Sequence, residues 1–517
     1  RPPECLPPPR GRGYLLHEEA AMRDGLDRRA FLAGLGALAG TQAAAAPPAA
    51  SLRPLARRAG LGPAPPGAEA LIAEARLRGT VALGLADVAT GRMLETVRPG
   101  AALPPASTAK AITALYALDA LGPAHRFETR VLAAGELRDG VLKGDLILAG
   151  GGDPTLDTDG LAALVEGLQA AGLRAVEGRL RVWAGALPAA RAIDAGQPAH
   201  VSYNPAVSGL NLNFNRVHFG WARAGADYEV TLQARTARYR PDVRIARMQI
   251  ADRRSPVYTY EDRAGRDHWT VARGALGAEG ARWLPVRRPA LYAGEVFQRL
   301  AEVAGLRLPA PEAAAALPAG TTTLARRESA PLREILRDML DYSTNLTAEV
   351  AGLAATAARG ARAATLADSG AEMARWAAGA LGMESCRFVD HSGLGDASRV
   401  TATEMARAMV AAERAGGVRA LLEDYDVRDA RGRPMRDAPF EVRAKTGTLH
   451  FVSALTGYLS VPGGRTLGFA ILTGDVAHRE TLTRAQLDRP PGARAWAGRS
   501  RRLQSALLRR WAQVHSA

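Results

Sequence analysis

A serine and a lysine three residues apart open an apolar helical stretch, and this pair constrains the fold more than any other feature of the chain. Pro104 and Pro105 are tolerated in the first turn of a helix but not in its interior, and Gly122-Pro123 closes the stretch. The pattern therefore predicts a helix that begins near Ser107. There, free N–H groups and the helix dipole favour negative charge on the serine oxygen, while Lys110 lies one turn further on. This is the arrangement of a serine activated by an amine.

The use of lysine makes this pair more informative. The chain has 67 lysine and arginine residues, of which only Lys110, Lys143 and Lys445 are lysine. Arginine cannot lose its proton in a protein, whereas a desolvated lysine can. A lysine retained in such a chain suggests a need for an amine. Two of the three fall in motifs, Ser107-Thr108-Ala109-Lys110 and Lys445-Thr446-Gly447.

Composition narrows the possible partners. The formal charge of +15 would suit an anionic partner, but the arginines are scattered, aromatic residues make up 5% of the chain and no nucleic-acid-binding motif is present. We therefore expect no nucleic acid, and at most peripheral contact with a membrane. No cofactor motif or set of metal ligands is visible, so we expect neither a cofactor nor a metal.

The N-terminal stretch is typical of an export signal. Residues 1–46 contain Met22, the pair Arg28-Arg29 and a weakly apolar run that ends at Ala44-Ala45-Ala46. We interpret them as an upstream stretch followed by a twin-arginine signal peptide, which predicts a periplasmic protein. Removal of the leader would leave Cys386 without a partner for a disulfide.

Hydrophobic periodicity predicts strands in the first and last parts of the mature chain and helices before the last part. Alternation in Leu210–Asn215 also predicts a strand with Asn211, Asn213 and Asn215 on one face, more commonly a solvated face than a site. His391 could be a base, although orienting its loop is the preferred interpretation. The predicted strands are Thr80–Val88, Arg92–Val97, Phe440–Leu449, Val452–Val461 and Thr466–Gly474, and the predicted helices are Pro331–Leu340, Leu346–Ala358, Thr365–Leu381 and Ala493–Val514.

A third motif, Ser343-Thr344-Asn345, lies in the break between two predicted helices. In chain order, Ser-x-x-Lys, Ser-x-Asn and Lys-Thr-Gly are the signature of penicillin-binding proteins and serine β-lactamases. The chain more closely resembles the class C penicillin-binding proteins of the type 4 kind, which are D-alanyl-D-alanine carboxypeptidases and endopeptidases. Further matching segments are Gly144-Asp145-Leu146, Gly152-Asp153-Pro154-Thr155-Leu156, Asn211-Leu212-Asn213, Asp390-x-Ser392-Gly393-Leu394 and Lys445-Thr446-Gly447-Thr448-Leu449.

The resemblance implies a role for each motif residue. Ser107 attacks the D-Ala-D-Ala peptide bond, Lys110 takes its proton, and the backbone N–H groups of Ser107 and Thr448 form an oxyanion hole. Ser343 relays a proton to the leaving amine, and Asn345 holds the substrate amide and Lys110. Lys445, Thr446, Gly447 and Thr448 bind the substrate, with Lys445 also lowering the pKa of Lys110. The partners implied are peptidoglycan stem peptides, and β-lactams as covalent inhibitors.

The resemblance also implies an α/β (α+β) fold, in which a penicillin-binding transpeptidase-like domain has an antiparallel sheet flanked by helices and carries inserted, mainly-β domains. We expect residues 47–125 and 321–517 to form this catalytic domain and residues 126–320 to form the insertion. Two alternatives remain open. A serine β-lactamase shares the three motifs, and a non-catalytic wall-binding protein would suit the basic charge.

Overall fold

The computed structural model of the protein describes residues 65–483, 486–487 and 490–516. The chain from Ala68 onward forms one compact unit. The predicted signal peptide lies outside the described residues. Within them, no helix combines the length and the apolar character needed to cross a membrane.

Helices and strands alternate irregularly along the described chain. The helices are α1 (Ala68–Ala75), α2 (Ala109–Leu121), α3 (Thr158–Ala170), α4 (Pro289–Val303), α5 (Leu332–Tyr342), α6 (Asn345–Ala358), α7 (Leu366–Leu381), α8 (Ala402–Arg414), α9 (Val476–Glu480) and α10 (Ala493–His515). The strands are β1 (Thr80–Asp87), β2 (Met93–Val97), β3 (Ala102–Leu103), β4 (Glu128–Arg138), β5 (Val141–Gly150), β6 (Ala175–Val176), β7 (Leu180–Trp183), β8 (Arg216–Ala224), β9 (Asp227–Gln233), β10 (Ala246–Ala251), β11 (Tyr258–Arg263), β12 (Arg266–Ala272), β13 (Glu279–Pro285), β14 (Pro311–Ala314), β15 (Thr322–Glu328), β16 (Val400–Thr401), β17 (Glu441–Leu449), β18 (Val452–Ser460) and β19 (Thr466–Gly474).

An antiparallel sheet of order β17-β18-β19-β1-β2 combines strands from the first and last parts of the described chain. β1 pairs with β19 from Thr80 opposite Gly474 to Asp87 opposite Leu467. Leu507 and Trp511 of α10 pack with Leu83 and Phe469 on one face of the sheet. The other face packs against α2, α5, α6, α7 and α8 in a second apolar core. The predicted mixed fold, an antiparallel sheet flanked by helices, is confirmed.

The chain between α2 and α5 forms a separate, mainly-β layer with its own core, whose members run from Val131 to Ala325. Its strands form sheets of order β14-β7-β5-β4-β15, β10-β12-β11 and β13-β8-β9. The two ends of this segment meet, because the Ser329 N–H donates to the Phe127 carbonyl oxygen over 2.8 Å. β15 lies beyond the predicted boundary at residue 320 and pairs with β4, so the sheet extends this segment to Glu328. The division into separate domains stays a prediction.

The expected strand at Leu210–Asn215 is wrong. Asn213, Phe214 and Asn215 form a 3-10 turn with φ of 49°, 56° and 54°, a left-handed conformation that asparagine tolerates better than most residues. Asn211, Asn213 and Asn215 are buried rather than solvated. The three asparagine side chains donate hydrogen bonds to Asp153, Thr158 and Ala206, so they form a buried hydrogen-bond network. The alternation of residue types alone could not reveal this network.

Candidate active site

Ser107 lies in a 3-10 turn, Ala106–Thr108, that runs directly into α2. The Thr108 hydroxyl donates to the Pro105 carbonyl oxygen over 2.7 Å, which stabilises this turn. Ala106 has a φ of 46°, an unusual conformation for a residue with a Cβ. The serine therefore begins the helix, as the sequence predicted, but on a tighter and strained first turn.

Lys110 is completely buried, and its Nζ has three polar neighbours. They are Ser107 Oγ at 3.0 Å, Asn345 Oδ1 at 2.6 Å and the Ser392 carbonyl oxygen at 2.9 Å. The amide and carbonyl oxygens can only accept hydrogen bonds, whereas the serine hydroxyl can also donate. A neutral amine can therefore direct its two hydrogens to Asn345 and Ser392 and its lone pair to Ser107.

The electrostatics of the site favour that neutral amine. Burial, followed by the positive charge of Lys445, lowers the pKa of Lys110 to about 7. Asp390 and Glu349 act in the opposite direction. Burial also lowers the pKa of Lys445, to about 8, against the influence of Glu423 and Asp341. At neutral pH, Lys445 is thus more fully charged than Lys110.

Lys445 and Gly447 lie on β17, at the edge of the sheet. Residues two apart on a strand face the same side, and a Cβ at Gly447 would lie 2.8 Å from the Pro105 oxygen and 2.9 Å from the Ser107 nitrogen. This strand can therefore approach the serine turn only because residue 447 is glycine. The side chain of Lys445 faces the same side.

The outer edge of β17 is open next to this turn. Tyr425 and Glu423 bond to the backbone of Val442 and Ala444 at the start of that edge. In an antiparallel strand alternate residues direct their N–H and C=O groups to the same edge. The backbone N–H and C=O groups of Thr446 and Thr448 consequently face the edge of β17 that points away from β18. Within the described chain no strand pairs with this part of the edge. An extended peptide can bind there by strand addition.

The Ser-x-Asn motif connects α5 to α6, as predicted. Ser343 ends α5 in a left-handed conformation, with a φ of 55°. Asn345 is the first residue of α6, so its side chain projects from the start of that helix towards Lys110. The structure thus brings together Ser107, Lys110 and Asn345 by direct hydrogen bonds.

A layer of buried acids behind Lys110 was not anticipated in the sequence. Glu349 accepts hydrogen bonds from the backbone N–H groups of His391 and Ser392 at 3.0 and 2.9 Å. Asp390 accepts from Gly393 over 2.7 Å. Burial raises the pKa values of both carboxyl groups. These bonds hold the loop whose Ser392 carbonyl oxygen meets Lys110. The sequence signal that could have indicated this layer is Glu349, the one acidic residue in the alanine-rich helix α6.

His391 lies in this layer and is fully buried. Burial lowers the pKa of its imidazole to about 3, so the ring is neutral, and its Nε2 lies 2.7 Å from Ser369 Oγ. This is consistent with the preferred loop-orienting interpretation and not with a base at the site. Among the described residues, no group of three histidine, cysteine, aspartate or glutamate side chains is arranged to hold a metal ion.

Comparison with known proteins identifies the family. Residues 68–489 match the D-Ala-D-Ala carboxypeptidase 3 (S13) family. The chain belongs to this family. Its members' defining activity is that of a D-Ala-D-Ala carboxypeptidase, and this serine-type carboxypeptidase activity is the function of the chain. The expected resemblance to type 4 penicillin-binding proteins is confirmed, and the β-lactamase and non-catalytic alternatives are not favoured.

Individual proteins are similar to this chain over most of its length. A D-alanyl-D-alanine carboxypeptidase from Actinomadura sp. is 30% identical over 434 residues, which cover 78% of this chain and 79% of the relative. A carboxypeptidase from Mycobacterium tuberculosis is 28% identical over 412 residues, covering 77% of each chain. The crystal structure of penicillin binding protein 4 from Haemophilus influenzae shares the fold, with a TM-score of 0.67 and 17% identity over 85% of this chain and 99% of the other.

Proposed function

We propose that Ser107 removes the terminal D-alanine from peptidoglycan stem peptides through a covalent acyl-enzyme. The arrangement around Lys110 carries this proposal. Its lowered pKa makes the neutral amine accessible at neutral pH, and two acceptors at 2.6 and 2.9 Å leave its lone pair for the Ser107 hydroxyl at 3.0 Å. General-base assistance from such a positioned group contributes on the order of 10²–10⁴-fold to the rate.

In the first step, Ser107 Oγ attacks the carbonyl carbon of the D-Ala-D-Ala peptide bond and its proton passes to Lys110 Nζ. The backbone N–H groups of Ser107 and Thr448 stabilise the oxyanion. When the C–N bond breaks, the leaving amine takes up a proton relayed through Ser343, and D-alanine departs. Water, deprotonated by the same amine, then attacks the ester and releases Ser107.

Substrate recognition is assigned to the open edge of β17. The outward backbone groups of Thr446 and Thr448 would pair with the extended end of the peptide, and Asn345 would hold its amide. Lys445 and the Thr446 hydroxyl would bind the terminal carboxylate, a charge-assisted interaction. A β-lactam presents a similar acyl carbonyl and carboxylate, so we expect it to acylate Ser107 as an inhibitor.

The test is release of D-alanine from a peptide ending in D-Ala-D-Ala, together with the mass of the protein after exposure to penicillin. We expect release of D-alanine and one adduct on the peptide containing Ser107, with both lost in Ser107→Ala. Rapid turnover of a chromogenic cephalosporin without release of D-alanine would instead indicate a β-lactamase.

We also propose that the protein cleaves cross-linked stem peptides. The scissile bond of the cross-link also follows a D-alanine carbonyl, so the same acylation applies with a larger leaving amine. Purified cross-linked and uncross-linked wall fragments, compared at equal concentration, measure the preference. Release of D-alanine from the uncross-linked fragment with no cleavage of the cross-linked one would restrict the enzyme to carboxypeptidase action.

We also infer export through the twin-arginine route to the periplasm, with at most peripheral membrane contact. The support is Arg28-Arg29 ahead of a weakly apolar run. The intact mass of the exported protein should correspond to cleavage near Ala46. A product that retains Met22, or that stays in the cytoplasm, would contradict this inference.

A further inference from the structure

One loop of the inserted segment reaches the catalytic centre. Residues 187–207, here called the bridging loop, are closed at their neck by two backbone hydrogen bonds between Ala190 and Val207, of 3.0 and 2.8 Å. Leu187 and Val207 pack with Leu346 and Val350 of α6 in a small apolar cluster. The loop therefore rests on the helix that begins with Asn345.

The bridging loop contacts Asn345 directly. Asn345 Nδ2 donates to the Tyr203 carbonyl oxygen over 2.8 Å, while its Oδ1 lies 2.6 Å from Lys110 Nζ. An amide held at both ends cannot rotate without losing a bond. With its oxygen directed at Lys110, the amide accepts a hydrogen bond from the amine and leaves the amine lone pair free for Ser107. With its nitrogen there, the amide would donate a hydrogen bond to that lone pair and compete with Ser107.

A single buried arginine holds the loop in place. Arg287 is 8% exposed, and its guanidinium donates to the carbonyl oxygens of Arg191, Asn204 and Ala199 at 2.9, 2.8 and 2.6 Å. Its backbone N–H donates to Asp267 over 2.9 Å. The planar fork of arginine suits several acceptors at fixed positions, which the compact lysine ammonium matches less well.

We propose that Arg287 is a positioning residue for acylation, which acts through the bridging loop and the Tyr203 carbonyl oxygen to orient the amide of Asn345 towards Lys110. In this proposal the inserted segment contributes to the catalytic centre itself, because it supplies the carbonyl oxygen that orients the Asn345 amide. This inference rests on the proposed role of Lys110 as the base. The chain of contacts runs from Arg287 to Asn204, through the adjacent Tyr203 to Asn345, and on to Lys110.

The orientation of Asn345 has a signature in the pH dependence of acylation. The charged groups that act on Lys110 are Lys445 from β17, Asp390 from the loop before α8 and Glu349 from α6, while Asp194 of the bridging loop acts on Asp390. The oxygen of Asn345 favours the protonated amine because it accepts a hydrogen bond. If the amide rotates, the ammonium loses that acceptor, and the acid limb of the pH profile moves to lower pH.

The test measures penicillin acylation against pH in the full chain for Arg287→Met, Arg287→Lys and a control. Arg327→Met is the control, because Arg327 is also an arginine of the inserted segment, but its guanidinium bonds to the buried Asp153 at 3.2 Å rather than to a carbonyl oxygen of the bridging loop. Removing it leaves a buried carboxylate without its ion-pair partner and tests the effect of lowered stability alone. Thermal unfolding is recorded for every variant.

For Arg287→Met we expect the maximal acylation rate to fall on the order of 10–100-fold, with the acid limb lower by about 0.5 pH unit or more. Arg287→Lys should show the same changes to a smaller extent, and it decides the question if the methionine variant does not fold. The control should keep the acid limb of the unmodified protein. A folded Arg287 variant with an unshifted limb and an unchanged rate would overturn the proposal. Failure of the proposed base role would appear differently, as acylation that survives in Lys110→Arg.

Discussion

At the scale of single residues, the two motif lysines have opposite tasks in one small volume. Burial lowers the pKa of both amines, but Lys110 also faces the charge of Lys445, and the resulting pKa values are about 7 and about 8. The proposed chemistry needs Lys110 neutral and Lys445 charged. Those conditions hold together between the two pKa values.

We therefore predict a bell-shaped pH profile for acylation at sub-saturating penicillin. The rate should rise as Lys110 loses its proton near pH 7 and fall as Lys445 loses its proton near pH 8. Lys445→Arg should remove the alkaline fall, because arginine keeps its charge. Stopped-flow acylation from pH 5 to about pH 10 measures both limbs. A rate that falls steadily from low to high pH would exclude Lys110 as the base.

At the scale of elements, the site depends on the close approach of β17 to the turn that carries Ser107. Gly447 allows the approach from the strand, and Gly393, with a φ of 74°, allows the Ser392 loop to pack against the Ala106 carbonyl. The contacts on the turn are backbone atoms, which cannot move aside as a flexible side chain could. A small displacement at either position changes the serine, the oxyanion hole and Lys110 together.

We predict that Gly447→Ala remains folded but acylates on the order of 10²-fold more slowly, since its Cβ would lie 2.8 Å from the Pro105 oxygen and 2.9 Å from the Ser107 nitrogen. Gly498→Ala on α10 is the matched control. Its nearest neighbour would be the Arg502 side chain at 3.7 Å, an ordinary contact. Acylation by Gly447→Ala at the rate of this control would mean that the turn tolerates displacement.

At the scale of the whole molecule, the mainly-β segment lies in the chain between α2 and α5, and both of these helices contribute to the apolar core next to the antiparallel sheet. Its core is separate from the core around α2, and its ends meet where Phe127 and Ser329 share a backbone hydrogen bond. The bridging loop nevertheless contacts Asn345. The segment can thus be replaceable for folding and still contribute to the reaction.

We predict that replacing residues 128–328 by a short linker leaves a folded protein that penicillin still labels on Ser107. Acylation should be slower, to the level of Arg287→Met, because Asn345 loses the Tyr203 carbonyl oxygen, and action on polymeric wall should change. The measurement is penicillin labelling with circular dichroism as the folding control. No labelling of a folded variant would show that the boundaries are wrong, and labelling at the full rate would show that the bridging loop is dispensable.

Local patterns predicted much of the antiparallel sheet and of the helices packed against it, because these elements follow simple rules. The meander β17 to β19 and the hairpin β1 to β2 consist of short, largely apolar runs joined by short turns, and the three motifs have a distinctive order. The strand prediction for residues 211–215 was wrong because alternation of residue types does not distinguish a strand from a turn whose asparagines form a buried hydrogen-bond network. The contacts of Tyr203 with Asn345, and of Arg287 with the bridging loop, join residues far apart in sequence and depend on tertiary packing, which no local pattern encodes.

The catalytic proposal depends most on Lys110 as a neutral amine, and arginine at the two lysine positions tests it directly. Arginine cannot act as a base, but its guanidinium can still attract a carboxylate. Acylation of Lys110→Arg by labelled penicillin should therefore fall on the order of 10²–10⁴-fold or more, whereas Lys445→Arg should bind more weakly and still acylate at high ligand concentration. Near-normal acylation in Lys110→Arg, or a folded Lys445→Arg as inactive as Lys110→Arg at saturating ligand, would contradict this assignment of the two lysines.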